Sequence, residues 1–293
     1  MRKSKYLVLN SFYFDFNNDL TEIINIKESF KKQNILDLSR FDKIKIIKKY
    51  QFIECENINF VFLPISINKI YEASFFENKI QILDLSKCLK LKLIDPSCFE
   101  NNQLKQLKLP ENIEIIGQFA FYINQIEILD LSNCINLKNI GKFAFTENQI
   151  KHLKLPNNIE EIELSAFMNN QIKILDLSNC IKLKYIEKDA FSYNQIKQLK
   201  LPKNIEEIEW SAFIYNQIEI LDLLHYIKLK EIHEYAFSEN PLTEIKILDN
   251  VEIKYGENNK DDVWNKFVKY YNKNNKKAGD YKYINNEWQW YPL

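Results

Sequence analysis

The chain of 293 residues carries 40 Lys+Arg against 40 Asp+Glu, so its formal net charge is zero. That balance removes the long-range attraction to phosphate on which nucleic-acid binders depend, and only 4 glycines leave few loops able to cradle a phosphate group. No apolar run reaches the roughly 18 residues that would span a bilayer.

The N-terminal "MRKSKYLVLNSFYF" sets basic residues before an apolar stretch, as a secretory signal does. Asn10 and Ser11 interrupt that stretch, and "DFNND" follows where a small-residue cleavage site would stand. The segment predicts an intracellular chain rather than a secreted or surface one. Residues 1–35 hold Phe12, Tyr13, Phe14 and Phe16 and a degenerate "SF" at Ser29–Phe30, and read as an N-terminal capping segment.

Self-similarity dominates residues 36–248. "LDLS" begins at Leu36, Leu83, Leu129 and Leu175, and "LDLL" at Leu221; the last four starts are each 46 residues apart. Between them lie "VFLP" at Val61, "LKLP" at Leu107, Leu153 and Leu199, and a degenerate "IKIL" at Ile245. A Phe, usually in "AF", recurs at 75, 99, 121, 145, 167, 191, 213 and 237, in steps of 24 and 22. The 46-residue period is therefore two similar units in tandem, and the region predicts a solenoid of about ten coils.

Within a unit, Ile126, Leu129 and Leu131 fit L-x-x-L-x-L, with Cys134 at the following Asn/Cys position. The L-x-L portion predicts a short strand with side chains alternating in and out. "LKLPNNIEEIELSAFMNNQIKIL" (153–175) resembles the BspA-like leucine-rich repeats, whose unit reads roughly L-x-L-P-x-x-L-x-x-I-G-x-x-A-F. Gly117 and Gly141 keep the family's "IG", whereas Glu163, Glu187, Glu209 and His233 replace that Gly, which puts the local backbone there in question. The resemblance implies a right-handed leucine-rich-repeat solenoid with a parallel sheet on one face. It also implies a non-enzymatic scaffold for a protein or peptide partner. Bacterial members are often surface adhesins, which is the alternative function.

Equivalent residues of a solenoid stack in columns about 4.8 Å apart. The column Asn78, Asn102, Asn124, Asn148, Asn170, Asn194, Asn216, Asn240 predicts side-chain amides that satisfy backbone groups no ladder reaches. Cys88, Cys134 and Cys180 share a slot with Phe41 and Tyr226, so that slot is apolar. Two coils separate successive cysteines, about 10 Å by strand spacing, beyond the roughly 4.4–6.8 Å of a disulfide. Reduced, packed thiols are expected. Cys55 and Cys98 lie elsewhere without C-x-x-C spacing, and no zinc site is predicted from the cysteines.

Two columns face outward on the strands. One runs Asp37, Phe62, Asp84, Lys108, Asp130, Lys154, Asp176, Lys200, Asp222, Lys246, alternating in sign from Asp84 onward. The other runs Ile82, Gln106, Ile128, His152, Ile174, Gln198, Ile220, Glu244. Exposed apolar residues in a row mark partner sites, although duplication of a 46-residue ancestor gives the same regularity. The candidate partner-binding residues are Ile128, Asp130, His152, Lys154, Ile174, Asp176, Lys200, Ile220 and Asp222. The return turns repeat the charge scheme, basic in "INLK" and "IKLK" units and acidic in "NIEE" units.

The repeat ends near Asp249, and residues 249–293 read as a C-terminal α/β cap. In "DDVWNKFVKYYNKNN", Trp264, Phe267, Val268 and Tyr271 fall on one helical face behind Asp261 and Asp262. "AGDYKYINNEWQWYPL" predicts a hairpin about Asn285–Asn286 that sets Tyr283 opposite Trp288 and Tyr281 opposite Trp290. The bland reading of this aromatic module is a cap on the last coil; the sharper one is a ligand platform.

Catalytic chemistry is sparse. The chain has 3 histidines and no P-loop, G-x-G-x-x-G or G-x-S-x-G. His225 and His233 share a coil with Asp222, Glu231 and Glu234 but lack a ligand spacing, so neither metal nor cofactor is predicted.

Overall fold

The computed structural model describes residues 13–53, 55, 57–249, 251–257 and 261–293. Phe12 and the signal-like stretch before it lie outside these. Each coil opens with a short strand, from Ile35–Asp37 through Ile128–Asp130 and Ile174–Asp176 to Glu244–Ile247. It returns through a two-residue strand, from Ile46–Ile47 to Glu252–Ile253. All pairings between coils are parallel and in register, for example Leu129 with Leu153 and Ile140 with Ile162. The expected parallel sheet is therefore joined by a second one on the return side.

The first sheet is interrupted. Strands 24 residues apart pair, as Ile128–Asp130 does with His152–Lys154 and Ile174–Asp176 with Gln198–Lys200. Across the next step of 22 residues, His152–Lys154 and Ile174–Asp176 belong to separate sheets. The strand Phe60–Phe62 is the exception and pairs with Ile82–Asp84 across such a step, although Pro64 closes it as a proline closes each "LKLP" strand. From Ile128 to Lys246 the double repeat is thus the unit of pairing in the first sheet, whereas the return sheet runs unbroken from Ile46–Ile47 to Glu161–Ile162.

The core is a row of stacked rings. Phe52, Phe75, Phe99 and Phe121 lie parallel with centroids 5.1–5.6 Å apart. The row continues through Phe145, Phe167, Phe191 and Phe213 to Phe237 at 5.2–5.8 Å. Phe14 and Phe30 meet Phe52 at the N-terminal end, beside the antiparallel strands Phe14–Phe16 and Ile23–Ile26. Trp264 meets Phe237 at the other end, 5.1 Å away.

Beside the rings stands the buried asparagine column. Asn148 Nδ2 donates to the carbonyl of Phe121 at 2.9 Å, and its Oδ1 accepts the N–H of Ile126 at 3.1 Å. Asn170 repeats the scheme on Phe145 and Ile150, and Asn194 on Phe167 and Ile172. The amide thus stitches each coil to the one before it at a corner where neither sheet supplies a partner.

Two residues in each central coil take a left-handed backbone without being glycine. Phe143 and Glu147 have φ of 57° and 58°, and Ser165 and Asn169 have 54° and 55°. Their N–H groups donate to the following coil, Phe143 to Leu164 and Glu147 to Met168. This conformation disfavours a Cβ, most of all a β-branched one, yet Ile123 also adopts it at φ 51°. The coil-to-coil bond outweighs the local strain.

At Gly117 a Cβ would lie 2.7 Å from the carbonyl oxygen of Ile94, so the coils approach closely there. Glu163, Glu209 and His233 nevertheless make the N–H bond to the preceding coil that Gly117 makes. The departure from "IG" leaves the backbone path unchanged at these three positions, whereas at Glu187 the return sheet is interrupted between Glu161–Ile162 and Tyr185–Ile186.

The helix Val263–Lys273 starts at Asp262, whose carboxylate accepts the N–H of Asn265, and buries Trp264, Phe267, Val268 and Tyr271. Strands Gly279–Ile284 and Glu287–Tyr291 pair in the predicted register, Tyr283 with Trp288 and Tyr281 with Trp290. Asn285 and Asn286, at φ 51° and 66°, supply the two left-handed positions of a tight turn. The hairpin also pairs antiparallel with Glu244–Ile247, so it extends the first sheet past its last coil.

Replacing Phe167 by Ala should lower stability by about 3–5 kcal/mol, measured as a shift in the urea midpoint, because its ring is held on both sides. At exposed Glu147 the left-handed backbone predicts opposite signs. Glu147→Gly should hold or raise the midpoint, and Glu147→Val should lower stability by about 1 kcal/mol.

Candidate functional site

The strand face exposes all nine sequence-predicted residues. Ile128, Ile174 and Ile220 are 62%, 59% and 57% exposed, which is high for isoleucine in a sheet. Their inward neighbours Leu129, Leu175 and Leu221 are buried and fix the strands. In register, His152 lies beside Ile128 and Gln198 beside Ile174.

The charged column forms ion pairs inside each double repeat. Lys200 Nζ lies 3.0 Å from Asp176, Lys154 3.4 Å from Asp130 and Lys108 3.8 Å from Asp84. Each pair is well exposed, so each contributes at most about 1 kcal/mol. The last pair departs from the pattern: Lys246 bonds Glu244 on its own strand at 2.9 Å instead of Asp222.

The aspartates also hold their own turns, a role that charge alternation concealed. Asp130 Oδ1 accepts the N–H and hydroxyl of Ser132 at 3.0 and 2.5 Å. Asp176 does the same for Ser178, and Asp84 for Ser86. The Ser132 hydroxyl bond leads in pulling the Asp130 carboxyl below its usual range. The spacing D-x-S in "LDLS" is the signal that marks this. Asp222, followed by Leu224, keeps only the backbone bond.

A second apolar row went unread. Ile135, Ile181 and Ile227 are exposed on the turn after each of these strands, as is Leu89. Each follows the Cys or Tyr slot directly, at the same 46-residue step.

On the return side the acidic turns meet basic ones, as the "INLK" and "NIEE" alternation predicts. Glu206 sits between Lys230 at 2.7 Å and Lys184 at 3.1 Å. Bonding to Lys230 and then Lys184 holds its carboxyl down at about 2. Next to this turn Glu207, Glu209 and His233 lie together, each half-buried. Reading the histidine within its own coil missed the group, because its neighbours come from the coil before; His225 is exposed on the strand side.

Among the described residues Cys55, Cys88, Cys98, Cys134 and Cys180 are all buried, and none is joined in a disulfide. Burial pushes the thiols of Cys88, Cys134 and Cys180 up to about 11, with Asp84, Asp130 and Asp176 adding to the shift. Cys88 and Cys180 face the carbonyls of Pro64 and Pro156 in the preceding coils.

Short parallel strands, a closed return path and an L-x-x-L-x-L pattern define a leucine-rich-repeat solenoid. The profile of the BspA type leucine-rich repeat region matches the chain in 6 copies over residues 21–137 and 125–243. The chain belongs to this family. A search of curated proteins finds no match. Among solved structures, the chain is similar to a leucine-rich repeat protein from Bacteroides ovatus at 17% identity, over 83% of this chain and 88% of that one, with a TM-score of 0.31. It is similar to the functional domain of InlJ from Listeria monocytogenes at 16% identity and TM-score 0.41, over 81% of this chain and 62% of that one. It is also similar to YopM, a leucine-rich effector protein from Yersinia pestis, at 20% identity and TM-score 0.41, over 74% of this chain and 61% of that one. Among the described residues, no helix is long and apolar enough to cross a membrane.

The buried thiols predict a labelling experiment. At pH 8 a maleimide should leave the native protein unmodified during the time in which it labels all five cysteines of the denatured chain. Rapid native labelling of Cys88, Cys134 and Cys180 would contradict their packing.

Proposed function

We propose that this chain is a non-enzymatic scaffold whose strand face holds a protein or peptide partner. The observation that carries the reading is the row Ile128, Ile174, Ile220: apolar, more than half exposed, and set on strands that the core holds rigid. The neighbouring Asp–Lys row is locally neutral, so it favours register over long-range attraction. Alternate isoleucines, about 9.6 Å apart at two strand spacings, accept side chains from an extended or helical segment. Five buried cysteines outside any disulfide suit a reducing compartment, and we place the scaffold inside the cell rather than on its surface.

The test is capture of a partner from the native cell, followed by variants. Ile174→Asp should weaken the captured complex by about 1–2 kcal/mol while the circular-dichroism spectrum stays unchanged. If Ile174→Asp and Ile220→Asp leave the affinity intact while substitutions at Tyr283 and Trp290 abolish it, the terminal aromatic module is the site instead.

A further inference from the structure

We propose that Glu207, Glu209 and His233 bind one divalent transition-metal ion of the zinc type on the return sheet. Strands Glu207–Ile208 and Glu231–Ile232 are parallel, with Glu207 beside Glu231 and Ile208 beside Ile232. Ile208 and Ile232 point into the core, so Glu207, Glu209, Glu231 and His233 occupy four corners of one outward patch. One ligand atom each from Glu207, Glu209 and His233 falls within 4.8 Å of the others. Ligands about 2.0–2.2 Å from a tetrahedral ion stand roughly 3.4 Å apart, so modest side-chain rotation closes the site.

A sister pair shows that this backbone can aim two carboxylates at one atom. Glu161 and Glu163 stand 46 residues earlier at the same places in the double repeat. There Asn139 Nδ2 sits between them, 2.5 Å from one carboxylate and 2.7 Å from the other. At Glu207 and Glu209 the residue matching Asn139 is Tyr185, which has no amide to offer. His233 approaches instead from the following coil, its Nδ1 3.8 Å from Glu209.

Charge is also left over at this place. Lys254 lies 3.3 Å from Glu231, and the lysines on Glu206 serve the turn. The backbone N–H of Glu207 donates to the carbonyl of Lys184, and its carboxylate makes no direct hydrogen bond or ion pair among the described residues. One imidazole nitrogen with two carboxylate oxygens favours zinc-like ions over calcium or magnesium, which take oxygen alone.

Trp210 supplies a reporter. Its indole N–H donates to His233 Nδ1 at 3.0 Å. A neutral imidazole has one lone pair. Metal bound at Nδ1 displaces the indole directly, and metal bound at Nε2 moves the proton to Nδ1, which then cannot accept. Either way the indole lets go.

The experiment is a zinc titration of the tag-free full chain, followed by calorimetry and tryptophan fluorescence. One zinc should bind. His233→Ala and Glu209→Gln should each weaken it by at least about tenfold, whereas Glu163→Gln should leave it unchanged. Zinc should alter the fluorescence of the native chain but not of Trp210→Phe, which should still bind. Calcium should bind far more weakly. The proposal fails if no zinc binds below about 1 mM, a weak affinity of roughly 4 kcal/mol. It fails equally if zinc binds but His233→Ala and Glu209→Gln bind it as well as the native chain does while remaining folded by circular dichroism.

Discussion

A single coil of this chain cannot satisfy its own backbone. Its strands are two to four residues long, and the corners between them reach no ladder. The asparagine column resolves this. From Asn102 to Asn240 each buried amide donates to a Phe carbonyl of the preceding coil and accepts an N–H from that same coil, while Asn78 only donates among the described residues. Unpaired, each such buried group would cost about 1–3 kcal/mol. The chain therefore gains stability only by stacking, and the phenylalanine row, the left-handed residues and both sheets follow from a spacing set at this corner.

The two unit lengths then divide the molecule. The 24-residue step keeps the first sheet bonded, and the 22-residue step that ends in proline breaks it over most of its length. Ion pairs such as Asp176–Lys200 form within a bonded pair of strands. Because these pairs are exposed and weak, the strand face is shaped by its leucine interior, and its outward residues contribute little to holding it. The aspartates are partly an exception, since they also hold the serine turns.

The ends obey the same requirement. Phe14 and Phe30 cover the first ring of the row, and Trp264 covers the last. The hairpin meets the edge of Glu244–Ile247 antiparallel, turning the last ladder back on itself. Its tryptophans are thereby tied into the structure: Trp288 donates to the carbonyl of Val263 and Trp290 to that of Ala278.

Much of this was legible in the sequence because alternation and period are local properties repeated many times. The burial of Leu129, Phe145, Asn148 and Cys134, the helix face at Trp264 and the Tyr283–Trp288 register all follow from residue spacing. Contacts between coils do not, because they join residues 19 or more positions apart and depend on how closely each coil settles on the last. Only the tertiary structure decided that the first sheet is interrupted, that Phe143 and Glu147 adopt a left-handed backbone, and that Lys246 prefers Glu244 to Asp222. The same holds for Glu207, Glu209 and His233, which parallel strands bring side by side from different coils.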